Sequence, residues 1–373
     1  MAQADLIFTR YLYVKEEVEL TLLVSILNKS DDAIFWAFEL FYSGFKRDLF
    51  DLIWKIYYDF FATLNPTFEA YLLKKHKEYE TLDELSAAPL VSSIIQSLLF
   101  RPINTDVFLL RKCCSLMEYD IDYHKDTEKI TDMQSCLVNL THWFQTKDYR
   151  SLAQWILNVN KDTISIVDIY NKSLTIFELT KPKFHNTSLK LNVDKNIILL
   201  AKIMHLISLS QHLKKGKSIY ISVEPEDIIP YETITSVRHY QILENACICG
   251  INDFKHLSLF KLKRNKYNLQ NLYWYNWLYY ASFSPIWSQR IQQYGGIIIH
   301  TNKSVSFNDD DLMEEFYSLY GLEPDEQKEC VQNKSILTIE KIHDWKWFCN
   351  TYKKNGLFNI WEEELEEFDV IQY

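Results

Sequence analysis

The residues best suited to bind a ligand form one basic and aromatic stretch in the second half of the chain. Cations that meet phosphates, beside rings that stack on bases, are the parts of a single-stranded RNA site. The same side chains suit a protein partner, because Tyr, Trp and Arg are the usual hot-spot residues of protein interfaces. A third interpretation is a solvated strand end followed by a helix whose rings pack inside the protein. The candidate residues are Lys261, Lys263, Arg264, Lys266, Tyr267, Tyr273, Trp274 and Trp277.

A second candidate contact lies among glutamates in the segment WEEELEEF. Trp361, Leu365 and Phe368 recur at i, i+4 and i+7. This spacing is typical of an amphipathic helix that docks its apolar anchors into a groove. We expect a partner-docking tail, whose groove belongs either to this protein or to another.

Familiar catalytic signatures are absent from the sequence. It contains no Walker A motif, no G-x-G-x-x-G, no H-E-x-x-H and no G-x-S-x-G. Glycine occurs only seven times, and phosphate-cradling loops depend on glycine for close backbone approach. The seven cysteines are irregularly spaced without a C-x-x-C pair, which favours reduced thiols over a zinc site. We therefore expect no catalytic residues, no cofactor and no metal, with a divergent enzyme as one alternative.

Composition limits the environments in which the protein works. The net charge of −10 argues against a protein coated with nucleic acid but allows local basic patches. No apolar run reaches the roughly 18 residues of a membrane span, so we expect no membrane partner. The first residues lack the pattern of a secretory signal.

The elements that must position these residues are mainly helical. Residues 33–66 carry apolar and aromatic side chains at helical spacing, interrupted only at Ser43-Gly44. Taken in pairs, the predicted helices recur about every 40 residues, which resembles HEAT-type repeats, with an irregular bundle as the alternative. Residues 163–191 are predicted to include a loop or short strands. The helices are predicted at 16–28, 31–43, 46–64, 67–79, 86–100, 105–118, 128–145, 148–159 and 194–214.

A change of composition at Lys214–Lys217 predicts a module boundary. We place a helical repeat-like module at 1–215 and a smaller α+β module with the acidic tail at 216–373. Ser218–Val223 alternates like a strand, and 295–307 is predicted to be a hairpin with its turn at 301–304. Further helices are predicted at 269–281, 285–294, 309–320 and 340–354. The predicted fold class is mainly α, with stacked antiparallel helix hairpins followed by the α+β module.

Several segments of the sequence are distinctive enough to suggest a family. FTRYLYVKEEVELTLLVSIL and AIFWAFELFYSGF lie near the start, and LSLFKLKR, NWLYYASFSPIWSQRI and FYSLYGLEPDEQ follow in the second half. Together they resemble an uncharacterised protein family of nucleo-cytoplasmic large DNA viruses, the giant mimivirus-like and algal viruses. The resemblance implies a protein of the host cytoplasm, at the viral factory, or of the virion. It supplies no catalytic residues.

These observations predict a non-enzymatic helical scaffold or adaptor in viral gene expression. Its partners would be viral or host gene-expression proteins and RNA. The predicted arrangement is similar in broad shape to the middle domain of the eukaryotic translation-initiation scaffold, a likeness of architecture only. The main alternative is a virion structural protein, such as a minor capsid or core component.

Overall fold

The computed structural model describes residues 6–117, 133–160, 164–178, 191–232, 275–320, 329, 345–353 and 356–358. Within these ranges the chain is mainly helical, with one two-stranded sheet, as the sequence predicted. The helices are α1 (Lys15–Asn28), α2 (Asp32–Tyr42), α3 (Lys46–Ile56), α4 (Phe68–Tyr79), α5 (Glu84–Leu99), α6 (Asp106–Met117), α7 (Met133–Thr146), α8 (Tyr149–Asn158), α9 (Ile166–Ile176), α10 (Lys195–Ser210), α11 (Ile229–Glu232), α12 (Trp277–Ala281), α13 (Pro285–Gln293), α14 (Asp310–Tyr320) and α15 (Trp345–Tyr352). The strands are β1 (Gly296–Ile299) and β2 (Ser304–Phe307).

The first helices pack as antiparallel neighbours because short turns join them. Helix α2 is followed by Gly44, whose φ of +88° is the left-handed conformation that glycine adopts freely. Helix α3 continues into a π-helical turn at Tyr57–Phe61. At the start of α5 the side chain of Asp83 accepts a hydrogen bond from the N–H of Ser86 at 2.8 Å. These ends agree with the predicted helices to within a few residues.

A large apolar core joins helices α1 to α10. Its rings include Phe41, Trp54 and Phe60, which are all buried. Phe348, Tyr352 and Phe358 pack against the same core, where Phe348 lies 5.4 Å from Phe108 between ring centroids. The helical array is therefore held by aromatic packing over most of its length.

A second core forms around α12, α13 and α14. The hairpin packs one face against it through Ile298, Val305 and Phe307, with Ile298 directly opposite Val305 in the antiparallel register. Residues 6–14 also belong here, because the indole N–H of Trp287 donates to the carbonyl of Thr9 at 3.0 Å. The hairpin and the helix after it confirm the sequence prediction. The boundary between the two modules, placed between residues 215 and 216, stays a prediction.

Two stretches differ from the sequence prediction. Ile166–Ile176 is a helix that we did not predict, in which Ile169, Tyr170 and Leu174 bury one face. Residues 179–190 of the same stretch lie outside the described residues. Ser218–Val223 forms no strand and pairs with no strand within the described chain. Its N–H groups at Ile221 and Val223 instead donate to side-chain hydroxyl groups of α5.

Among the helices that the structure describes, none combines the length and the apolarity needed to cross a membrane.

Candidate functional site

The predicted basic and aromatic stretch is described only at its end. Residues 261–274 lie outside the described ranges, so their role stays a prediction. Trp277 is 4% exposed and packs edge-on against Trp287, with ring centroids 5.5 Å apart. It is a core residue and offers no ring face to a base or a partner. The neighbouring Tyr275, by contrast, is 72% exposed.

The predicted partner-docking tail also lies outside the described residues, with its anchors Trp361, Leu365 and Phe368.

A different basic and aromatic surface is formed by the segment that follows α10. We call it the basic strip and define it as Lys214, Lys215, Lys217 and Tyr220, all of which are exposed. Within the described chain, the ammonium groups of its three lysines take part in no salt bridge or hydrogen bond. The strip thus presents free positive charge to solvent although the protein as a whole is acidic.

The backbone of the strip is fixed by a close approach at Gly216. Its N–H donates to the carbonyl of Leu64 at 3.0 Å. A Cβ placed on Gly216 would lie 1.9 Å from Oδ1 of Asn65 and 2.9 Å from Cδ of Pro102. Asn65 has no room to move away, because it is buried and its amide donates to the carbonyls of Phe61 and Pro102 at 2.9 Å each. Only glycine fits at this crossing.

The other end of the strip is held by α5. The N–H groups of Ile221 and Val223 donate to the hydroxyl oxygens of Ser97 and Ser93 at 3.0 and 3.1 Å. These bonds replace the strand ladder that the sequence pattern suggested. The lysines therefore project from a backbone that is anchored on both sides.

Tyr220 is part of an aromatic stack at the surface. Its ring centroid lies 4.5 Å from that of Tyr71 and 6.3 Å from that of Phe68, nearly parallel to Phe68 at 9°. Tyr220 itself remains 41% exposed. An exposed ring backed by other rings is a suitable platform for a nucleobase.

Beneath Tyr220 lies a buried arginine. The guanidinium carbon of Arg101 is 4.2 Å from the ring centroid of Phe68 and 5.0 Å from that of Tyr220. Arg101 is only 2% exposed. Its NH1 group donates to the carbonyl of Ser97, whereas its NH2 group has no partner among the described atoms. Burial lowers the pKa of Arg101, and the nearby Tyr220 acts in the opposite direction.

Within the described chain Arg101 pairs with no carboxylate, in contrast to three other cations that are buried or half-buried. Arg10 pairs with Glu39 at 3.0 Å, and Lys202 pairs with Glu69 at 2.7 Å. Arg111 pairs with Asp59 through two hydrogen bonds. Burying a charge without an opposite charge is costly, and at Arg101 the hydrogen bond to Ser97 and the ring faces of Phe68 and Tyr220 offset part of that cost.

A second cation lies next to Arg101, at the carboxyl end of α5. The ammonium group of Lys29 donates to the carbonyls of Leu98, at 3.3 Å, and of Arg101. Its pKa is lowered to about 8, first by burial of the ammonium group and then by the charge of Arg101. The positive charge of this region therefore extends from the basic strip to Lys29.

In the sequence, the lysines of the strip are apparent only as a change of composition. Their proximity to Tyr220 follows from the sequence, because all of them lie within the short segment KKGKSIY. The contributions of Phe68, Tyr71 and Arg101 come from distant parts of the chain and needed the fold. Over the ranges that the structure covers, no group of three His, Cys, Asp or Glu side chains is arranged to hold a metal ion.

Comparisons of the chain with protein-family models, with characterised proteins and with solved structures found no match. The viral resemblance accordingly stays a prediction, and the function is argued from the site.

Proposed function

We propose that the protein is a non-enzymatic helical scaffold that binds single-stranded RNA on the basic strip. In this proposal it works in viral gene expression in the host cytoplasm and gathers protein partners on other faces of its helical body. The observation that carries the proposal is the exposed row of lysines beside Tyr220, above Arg101, with no carboxylate paired to any of these cations within the described chain.

The chemistry of the strip favours a single strand over a duplex. Ammonium groups bind phosphates as point charges without regard to sequence. The exposed face of Tyr220 needs an unstacked base, which single strands provide and duplexes do not. Both kinds of group lie within one short segment of the chain, so one RNA strand can contact them together.

A protein-binding role is supported by apolar side chains exposed on the second core. Leu312 and Leu319 are 38% and 60% exposed and lie seven residues apart on α14. Ile297 on β1 is 51% exposed. Exposed apolar residues that share one region are typical of interaction surfaces.

The proposal is tested by replacing Lys214, Lys215 and Lys217 with Ala and measuring binding of a fluorescent single-stranded RNA by anisotropy. At 0.15 M salt we expect a loss of affinity between about tenfold and fiftyfold, because three phosphate contacts are removed. The slope of log K against log salt should become shallower by about 2, since each contact to a single strand contributes about 0.7.

The matched control replaces three exposed lysines elsewhere, Lys55, Lys147 and Lys172, with Ala. It makes the same change in net charge and should keep nearly the wild-type affinity. Equal losses of RNA affinity in both variants would show that binding depends on net charge and not on the strip. Absence of RNA binding in the wild-type protein, together with abundance in purified particles, would favour the virion structural protein instead.

A further inference from the structure

The segment that carries the basic strip runs along α5 from the carboxyl end of this helix towards its amino end. Tyr220 lies over Arg101, two residues beyond the last residue of α5. The N–H groups one and three residues after Tyr220 donate to the hydroxyl oxygens of Ser97 and Ser93 in turn. These two serines are one helical turn apart, about 6 Å along the axis. The order of the residues along the segment is therefore also their order in space.

The charge of this segment changes sign at Tyr220. Before Tyr220 stand the three lysines of the basic strip. After it stand three exposed carboxylates, those of Glu224, Glu226 and Asp227. Within the described chain these carboxylates take part in no salt bridge. Four residues separate Tyr220 from Glu224, a span of at most about 14 Å, so a strand of a few nucleotides would meet both signs of charge.

The three carboxylates are held in place from both sides. Val223 and Ile228 are both buried in the large core. Between them, Pro225–Asp227 forms one 3₁₀ turn, and the N–H of Asp227 donates to the carbonyl of Glu224 at 3.1 Å. The negative side of the segment is therefore a fixed part of the surface, like the positive side.

This arrangement treats a continuous strand and the end of a strand differently. A single RNA strand carries one phosphate charge per nucleotide. A strand that crossed Tyr220 and continued along the segment would place phosphates beside the lysines and then beside the carboxylates. Like charges brought together at an interface lower its affinity. A strand whose last base lies on Tyr220 keeps the contacts with the lysines and places no phosphate beside the carboxylates.

We propose that the basic strip binds an end of a single RNA strand. The terminal base stacks on Tyr220, and the phosphates of the next nucleotides contact Lys217, Lys215 and Lys214. The three carboxylates oppose any strand that continues past Tyr220. This inference rests on the proposed function, because it specifies which RNAs the strip accepts.

The test compares two single-stranded RNAs of the same unstructured sequence and length. One is linear with hydroxyl groups at both ends, and the other is closed into a covalent circle. The circle offers the same bases and nearly the same charge but has no end. In anisotropy titrations with the full-length protein, we expect the circle to bind about tenfold more weakly than the linear RNA.

A triple variant tests whether the carboxylates cause this preference. Glu224→Gln, Glu226→Gln and Asp227→Asn remove the charges but keep side-chain oxygens that accept hydrogen bonds. In this variant the affinity for the circle should rise to within about twofold of the affinity for the linear RNA, because the repulsion is gone. The matched control makes the same change in net charge on α14, with Asp311→Asn, Glu314→Gln and Glu315→Gln. It should leave the ratio of the two affinities unchanged.

The outcomes separate this inference from the proposed function. Equal binding of the two RNAs by the wild-type protein would overturn the inference and leave RNA binding by the strip intact. A preference for the linear RNA that persists in the triple variant would also overturn it, because the carboxylates would not be the cause. Absence of binding to either RNA would overturn the proposed function itself.

Discussion

Replacing Gly216 with Ala tests whether the strip is held as described. The new Cβ would lie 1.9 Å from Oδ1 of Asn65, well inside van der Waals contact. Asn65 is pinned by two amide hydrogen bonds, so the backbone of the strip must move outwards. The substitution therefore loosens the segment that presents Lys215 and Lys217.

The cost follows from the size of the overlap. One extra carbon forced into a packed site typically costs about 1–3 kcal/mol. For a chain of this length we expect the Tm to fall by about 1–4 °C. Because the strip is displaced, affinity for RNA should also fall, although no charge has been removed.

A double-mutant cycle with Asn65→Ala assigns the cost to this contact. Asn65→Ala alone destabilises the protein by about 1–3 kcal/mol, since two buried carbonyls lose their donor. It also clears the space that the Cβ at residue 216 needs. Chemical denaturation should therefore show that Gly216→Ala costs about 1–2 kcal/mol less in the Asn65→Ala background. Equal costs in the two backgrounds would refute the packing argument, as would a stable Gly216→Ala protein with unchanged RNA affinity.

Three further outcomes are expected from other parts of the structure. Tyr220→Ala should weaken RNA binding by about 1–3 kcal/mol, as expected for a lost base stack, while Tyr220→Phe should keep the affinity. Equal losses of affinity in the two variants, measured by anisotropy titration, would exclude stacking. Trp54→Ala should cost about 3–5 kcal/mol of unfolding free energy in denaturant titrations, because the Trp54 ring is fully buried. Trp36→Ala should cost less, because the Trp36 ring is only half-buried. Burial lowers the pKa of His205 in the folded state, so the unfolded chain takes up a proton that the folded chain resists, and stability should fall as the pH drops below about 6.5. His205→Gln should show a smaller fall between pH 7.5 and 5.5, and an unchanged fall would contradict that origin.

Much of the helical array was predictable because its apolar spacing is strong. The segment 33–66 places aromatic residues on every helical face, and the structure buries them between neighbouring helices. The hairpin was predictable from alternation and from the paired glycines before it. Helix α9 was not predicted, because Pro182 lies in the same stretch and proline favours a loop.

The site was less predictable for a physical reason. A sequence shows which charges exist but not which of them are paired. Arg101 is an ordinary arginine in the sequence. Only the fold shows that Phe68 and Tyr220 surround it and that no carboxylate of the described chain pairs with it. Residues 218–223 have the alternation of a strand, but alternation reports which side chains are exposed and not the hydrogen-bond partner of the backbone.

Photo-cross-linking tests the central claim most directly. The full-length protein is irradiated with a single-stranded RNA that carries 4-thiouridine, and the cross-linked residues are mapped by mass spectrometry. The account predicts cross-links at Tyr220 and its neighbours in 212–221, and their loss when Lys214, Lys215 and Lys217 are replaced by Ala. Cross-links confined to 261–280, with none in 212–221, would contradict it and move the RNA site to the stretch that contains Lys261 and Trp274.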